Sequence, residues 1–312
     1  MKKTGDCKLC QDKNVAYTKS DIVPKWFIKG FKEGPNGGQY IDLLRGKQGE
    51  IGELTDRYFV DNEALCKKCN NERLSAWEDP AKTLYDNYIA GASGLNYGPW
   101  FYSFCTSLTW RVATYLRRMG NGEEIPDDRI AHALEAWRLF MMTGDATHIG
   151  SHSQHLLVAD PKYGNGIGKS FRHFDLVLLT PKWDRHFLEA LEILVGNYTS
   201  EQVHRVAAAK DKICQLGGED ILALIFFGTF TFVGVVATDQ PDRWKNCGSL
   251  SVDGGRLQSS NSVNVRVLLG MLCHDLKIWT RLFKKGDEKM AQAYYSMFIE
   301  PCAHALCHGV GV

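Results

Sequence analysis

Along most of this chain apolar residues recur every third or fourth position, the spacing that gathers them on one face of a helix. Trp100 to Met119 (WFYSFCTSLTWRVATYLRRM) and Asp127 to Met142 (DDRIAHALEAWRLFMM) follow it. The first ends in Arg117-Arg118 and Gly120, a basic last turn followed by glycine, as helix ends often do. Ser200 to Leu216 predicts a third helix, with Ser200 as its cap and Glu201 in its first turn. Asn264 to Phe283 and Asp287 to Phe298 predict two more, and Phe174 to Leu179 reads as a strand. Ile221 to Ala237 (ILALIFFGTFTFVGVVA) carries no charge over 17 residues, close to the lower limit for crossing a bilayer. Its Phe, Val, Ile and Thr content, with Gly228 in the middle and Gly234 later, suits two buried strands or a bent one. No basic cluster flanks it to set a membrane topology.

Residues 1 to about 90 are different: rich in cysteine and lysine, irregular, and interrupted by Gly34-Pro35-Asn36-Gly37-Gly38. The Gly/Ala/Asn stretch from Ala90 to Gly98 separates them from the first long helix. The expectation is an α+β protein with a small cysteine-rich module over residues 1–92 and a larger mixed α+β domain for recognition or oligomerisation over 93–312. No internal repeat or low-complexity tract is visible. Lysine and arginine number 37 against 36 acids, so a nucleic-acid partner would have to be met by a local patch. No apolar stretch follows Met1-Lys2-Lys3, which predicts a cytoplasmic protein with reduced thiols and no membrane partner.

Cys7-Lys8-Leu9-Cys10 and Cys66-Lys67-Lys68-Cys69 each set two thiols two residues apart, the spacing at which a tight turn aims both sulfurs at one tetrahedral ion. Two such pairs make the complete ligand set of a structural Zn²⁺ site. The long interval between them predicts a β-hairpin and loop insertion, and the second pair should lead into a helix starting near Asn70 that carries Trp77 and Glu78. A closed four-thiolate site leaves no position for water, so zinc here serves folding and not chemistry.

Between the pairs stands Thr18-Lys19-Ser20-Asp21-Ile22-Val23-Pro24-Lys25-Trp26-Phe27, and after the second comes Asn70-Asn71-Glu72-Arg73-Leu74-Ser75-Ala76-Trp77-Glu78-Asp79. Over residues 7 to 79 the chain resembles the zinc-bearing HNH endonucleases. The resemblance implies a treble-clef, or ββα-metal, fold around one catalytic cation, with a His three residues before the proline as general base. Here that position is Asp21, a weaker base than imidazole that could instead ligate the metal. Asn70 matches the family's Asn after the second CxxC, but no His occurs before His132, so the family's His on the closing helix is absent too. Glu72, Glu78 and Asp79 are the acids left on that helix to hold an ion.

Two readings follow. In one, the module is degenerate as a nuclease and binds DNA or a protein partner through Lys8, Lys13, Lys19, Lys25, Lys29, Lys32, Lys67 and Lys68, which equally could only solvate a small domain. In the other, Asp21, Asn70, Glu72 and Glu78 serve an active endonuclease around Mg²⁺. A purely structural role in a larger complex, or assembly with further copies of the chain, is a third expectation. Ser107-Leu108-Thr109-Trp110-Arg111 and Pro241-Asp242-Arg243-Trp244 extend the resemblance to uncharacterised bacterial HNH-like proteins, and with it the expectation of a role in phage defence.

Other groupings are less directive. His148, His152 and His155 at i, i+4 and i+7 would chelate a metal on a helix, but Gly150 and the intervening serines favour a polar loop or partly buried histidines. Cys302, His304, Cys307 and His308 offer four soft ligands at cramped spacing, or a helix edge with two buried cysteines. Trp100, Phe101, Tyr102, Phe104, Trp110 and Tyr115 read as core; Arg111, Arg117 and Arg118 could meet phosphate, although a solvated helix end explains the last two. No G-x-S-x-G, P-loop or dinucleotide glycine run is present, Gly164 to Gly168 having the wrong spacing.

Overall fold

The computed structural model describes residues 3–27, 40–42, 53–55, 60–92, 94–118, 128–158, 174–179, 183–216, 221–227, 230–236, 244, 248–257, 265–300 and 302–303. Outside them lie Gly34 to Gly38, Lys29, Lys32, Gly120, Gly164 to Gly168, Gly228, Pro241 to Arg243, His304, Cys307 and His308. The N-terminal part is built from short antiparallel pairs: β1 (Thr4–Gly5) with β2 (Val15–Ala16), β3 (Ser20–Asp21) with β6 (Val60–Asp61), and, nested between these, β4 (Tyr40–Asp42) with β5 (Glu53–Thr55). The nested pair is the hairpin expected between the two CxxC turns. The second turn runs into a π-helical stretch, Cys69–Leu74, and then helix α1 (Ser75–Ile89).

Next come β7 (Asn96–Tyr97), α2 (Pro99–Arg118), α3 (Asp128–Thr143), β8 (Ser153–Val158), β9 (Phe174–Leu179), α4 (Trp183–Asn197) and α5 (Ser200–Leu216). The chain continues with β10 (Ile221–Phe227), β11 (Phe230–Val236), β12 (Gly255–Arg256), α6 (Val265–Lys284) and α7 (Glu288–Tyr294). The mixture is α+β. The uncharged run from Ile221 is two antiparallel strands, as its composition implied, and among the described residues no helix is long and apolar enough to cross a membrane.

Those two strands form the middle of a four-stranded antiparallel sheet in the order β8-β11-β10-β9. Alternation puts Leu156, Val158, Ile225, Phe230 and Phe232 on one face, packed with Phe101, Phe104, Cys105, Leu108 and Val112 of α2. Helix α2 is buried along nearly its whole first half, including Thr106, Ser107 and Thr109. Their hydroxyls donate back to its own carbonyls, Thr106 to Tyr102 at 2.8 Å and Ser107 to Phe104 at 2.8 Å, so no polar group is stranded. Gly234 in β11 is what lets the layers meet. A Cβ there would lie 2.9 Å from Thr109 Cβ and 3.0 Å from the Trp137 ring of α3. The outer edge of β8 is covered by residues 248–250, with Leu156 N–H donating to Gly248 at 2.9 Å and Leu250 N–H to Gln154 at 3.0 Å.

Residues of the first ninety enter these cores. Ile22, Val23 and Phe27 join the α2 cluster, and Phe27 meets the rings of Tyr85 at 5.0 Å and Phe232 at 5.6 Å. A separate cluster holds α4 to α7 together through Phe187, Leu194, Leu276, Trp279, Tyr294 and Tyr295. Two of the larger elements were not evident from sequence. Helix α4 carries Phe187, Leu191 and Leu194 at helical spacing, a signal present but passed over. Strand β8 lies where Gly150 and the serines suggest a polar loop or partly buried histidines; the histidines His152 and His155 are buried, as is Gln154, which lies against Thr109 at 3.1 Å.

Replacing Gly234 by valine drives two methyl groups into Thr109 and Trp137 and is expected to cost about 1–3 kcal/mol. A lower midpoint in denaturant at unchanged metal content would register it.

Candidate metal centre

The two CxxC turns face each other because the backbone stitches them together. Lys8 N–H donates to the Ala64 carbonyl at 2.8 Å, Thr18 N–H donates to Leu65 at 3.0 Å, and Tyr17 bridges Cys66. The first turn closes through Gln11, whose N–H donates to the Cys7 carbonyl at 2.9 Å and whose φ of 65° lies in the left-handed region. The sulfurs of Cys7, Cys10, Cys66 and Cys69 all lie within 4.8 Å of one another. Cys10 Sγ and Cys66 Sγ are 3.8 Å apart, and metal–sulfur bonds of about 2.3 Å at tetrahedral angles set sulfurs roughly 3.8 Å apart. The donor set therefore fits a metal ion. Among the described residues no other group of three or more cysteines, histidines or acids does so.

Electrostatics point the same way. A hydrogen bond with Cys69 holds the Cys7 thiol down at about 4, helped by the Cys66 N–H at 3.4 Å. The same contact, followed by burial, pushes Cys69 far above the ordinary thiol range, while burial pushes Cys10 up to about 12. Four thiolates this close repel one another, and a divalent cation between them is what lets all four ionise together.

Helix α3 braces this centre. Arg138 Nη1 donates to the Leu9 carbonyl inside the first turn at 3.1 Å, its guanidinium held by Glu135 at 2.6 and 2.7 Å. Arg73, from the stretch after Cys69, donates to the Met141 and Met142 carbonyls at 3.2 Å each and so caps the end of α3. Cys7, Leu9, Leu65, Cys66, Cys69 and Leu74 share one buried cluster with Tyr102, Trp110 and Trp137.

The other residues singled out from sequence are placed as follows. Asp21 sits on β3 with Oδ2 3.6 Å from Lys25 Nζ, while its Oδ1 and the hydroxyl of Ser20 are buried without a hydrogen-bond partner. Asn70 Nδ2 donates to Asn71 Oδ1 at 3.0 Å and reaches the Lys19 carbonyl at 3.5 Å, tying the helix start to the approach of β3. Glu72 is exposed. Glu78 is engaged by Arg111, whose Nη1 lies 2.9 Å from Glu78 Oε1 and donates to the Asp21 carbonyl at 2.8 Å. Asp21, Glu72 and Glu78 do not form a three-acid cluster among the described residues.

Of the arginines of α2 that could meet phosphate, Arg117 is exposed, while Arg111 and Arg118 are engaged by acids of the N-terminal elements. Arg111 has a side chain 5% exposed and is consumed by Glu78, Asp21 and Ser107. Arg118, two turns on, grips Asp61 at 2.6 Å and reaches Glu63 at 3.5 Å.

The histidine series is not one helical face. His148 lies in a 3₁₀ turn, His152 after it, and His155 in β8 between the hydroxyls of Ser153 at 2.7 Å and Ser249 at 3.2 Å. Instead His152 meets His132 of α3, a neighbour that sequence spacing did not reveal. Burial lowers His152 to about 4, with His132 adding to the effect. Cys302 is buried, and burial raises its thiol. The chain matches no protein-family model, no curated protein and no solved structure.

Elemental analysis is expected to find about one thiolate-bound ion per chain, lost in Cys66→Ser and released as pH falls, since protons compete for the ligands. Arg111→Ala removes the buried partner of Glu78 and should cost about 3 kcal/mol in denaturant unfolding, the low end of the range because Glu78 keeps some solvent.

Proposed function

We propose that this is a zinc-stapled module of HNH type that binds nucleic acid without cutting it, joined to an α+β body. A tetrahedral set of four thiolates suits Zn²⁺ and is closed to water, so the ion staples the treble clef that the resemblance implies. The observation that carries the non-cutting reading is Arg111. Glu78, one of the acids that a cutting enzyme of this pattern would give to Mg²⁺, is instead held by the Arg111 guanidinium at 2.9 Å, and the same group binds the main-chain carbonyl of Asp21 at 2.8 Å. That charge is permanent and cannot activate water.

Binding is supported by the arrangement of lysines. Lys8 N–H donates to the Ala64 carbonyl just before the second turn, which brings the backbone of Lys8 toward that of Lys67 and Lys68, and Lys19 immediately precedes β3. All four are exposed and make no ion pair among the described residues. Such a cluster tracks phosphates. A role in defence against phage or mobile DNA follows from the resemblance alone. The cutting alternative keeps one support of its own: the orphaned Oδ1 of Asp21 leaves a carboxylate lone pair that a cation could take.

Fluorescence anisotropy with a labelled duplex and a labelled single strand, across a salt series, tests the binding. Affinity should fall steeply with salt, and Lys67→Glu with Lys68→Glu should lower the slope of log K against log salt by roughly 1 per lost phosphate contact. Plasmid incubated with Mg²⁺ or Mn²⁺ should stay intact. Cleavage that disappears in Asp21→Ala at full zinc content would establish the cutting alternative, and absence of binding to either probe would redirect the lysine face to an acidic protein partner.

A further inference from the structure

His132 and His152 are twenty residues apart in sequence, yet His132 Nδ1 and His152 Nε2 face each other at 3.3 Å. This separation allows an N–H···N hydrogen bond between the rings. It equals the edge of a tetrahedron whose metal–nitrogen bonds are about 2.0–2.1 Å, which places nitrogens roughly 3.3 Å apart. The two facing nitrogens cannot both carry a proton, so at least one lone pair already points into the gap.

Each ring is positioned by independent structure. His132 projects from α3 and is exposed. The backbone of His152 is pinned by its N–H to the Ile149 carbonyl at 3.1 Å, and its ring lies 6.1 Å from that of Trp137, which packs edge-on against it. One ligand is therefore fixed in the protein and the other stands at the solvent boundary, where an ion can arrive.

We infer that His132 and His152 form a second metal site, an open two-histidine chelate for a borderline divalent ion such as Zn²⁺, distinct from the four-cysteine centre. Imidazole nitrogens suit Zn²⁺, Cu²⁺ and Ni²⁺ and disfavour Mg²⁺ and Ca²⁺. With two protein ligands, the remaining coordination positions fall to water or to an anionic group of a bound molecule. This is the arrangement of an exchangeable site, in contrast to the closed thiolate centre. It needs neither the HNH resemblance nor nucleic-acid binding.

The test is isothermal titration of Zn²⁺ into the full chain that already carries its first ion, with metal counted before and after dialysis. The expected result is a second, saturable zinc whose affinity falls on the order of tenfold or more in His132→Ala, a loss that even the outer partners of metal-bound histidines produce. His148→Ala should leave it unchanged. Because His132 is exposed, its replacement does not threaten folding, so the variant reports on the site. A chain that takes up only the first zinc, or a second zinc bound equally well by His132→Ala, overturns the inference and leaves a hydrogen bond between the two rings.

Discussion

Helix α2 is the member on which the rest of the structure leans. From Phe104 to Ala113 every residue is buried: by the sheet through Gly234, by α3, and by the residues that follow each CxxC turn. A helix so enclosed cannot carry unpaired polar groups, and this one solves the problem in two ways. Its small hydroxyls bond back to its own carbonyls, while Arg111 is sent outward to an acid and a carbonyl supplied by the N-terminal elements. The second solution makes the module and the body interdependent, because a buried guanidinium without Glu78 would be an uncompensated charge.

The cysteine centre depends on the same enclosure. Each CxxC turn is too short to have a core, and what fixes the pair is apolar packing of Leu9, Leu65 and Leu74 against Trp110 and Trp137 together with the arginine contacts to α3. Sulfur geometry, hydrogen bonding and tertiary packing thus agree on one arrangement, and agreement across levels is what gives a sequence a single structure.

What could be read from the sequence depended on how local the signal was. The CxxC turns are local, as are the apolar stripes of α2, α3, α5 and α6, and each was legible from spacing. The hairpin of β10 and β11 was legible because seventeen uncharged residues rich in Phe, Val and Ile have few other homes. Strand β8 was not, since its Gln154 and His155 are buried by partners that arrive from α2 and from residue 249, far along the chain. The task of Arg111 and the meeting of His132 with His152 were hidden for the same reason: both arise where elements cross, and no period along one element announces a crossing.

The burial of the four sulfurs is uneven. Cys7, Cys66 and Cys69 lie under the apolar cluster, whereas Cys10 stands half-exposed at its rim. An ion held there has one door. Its departure begins with the Cys10 bond, and a competing chelator or oxidant gains its first foothold at that sulfur, while the remaining three release only if the packing beneath them opens. Three of the four sulfurs could therefore be reached by a competitor only through an opening of the surrounding core.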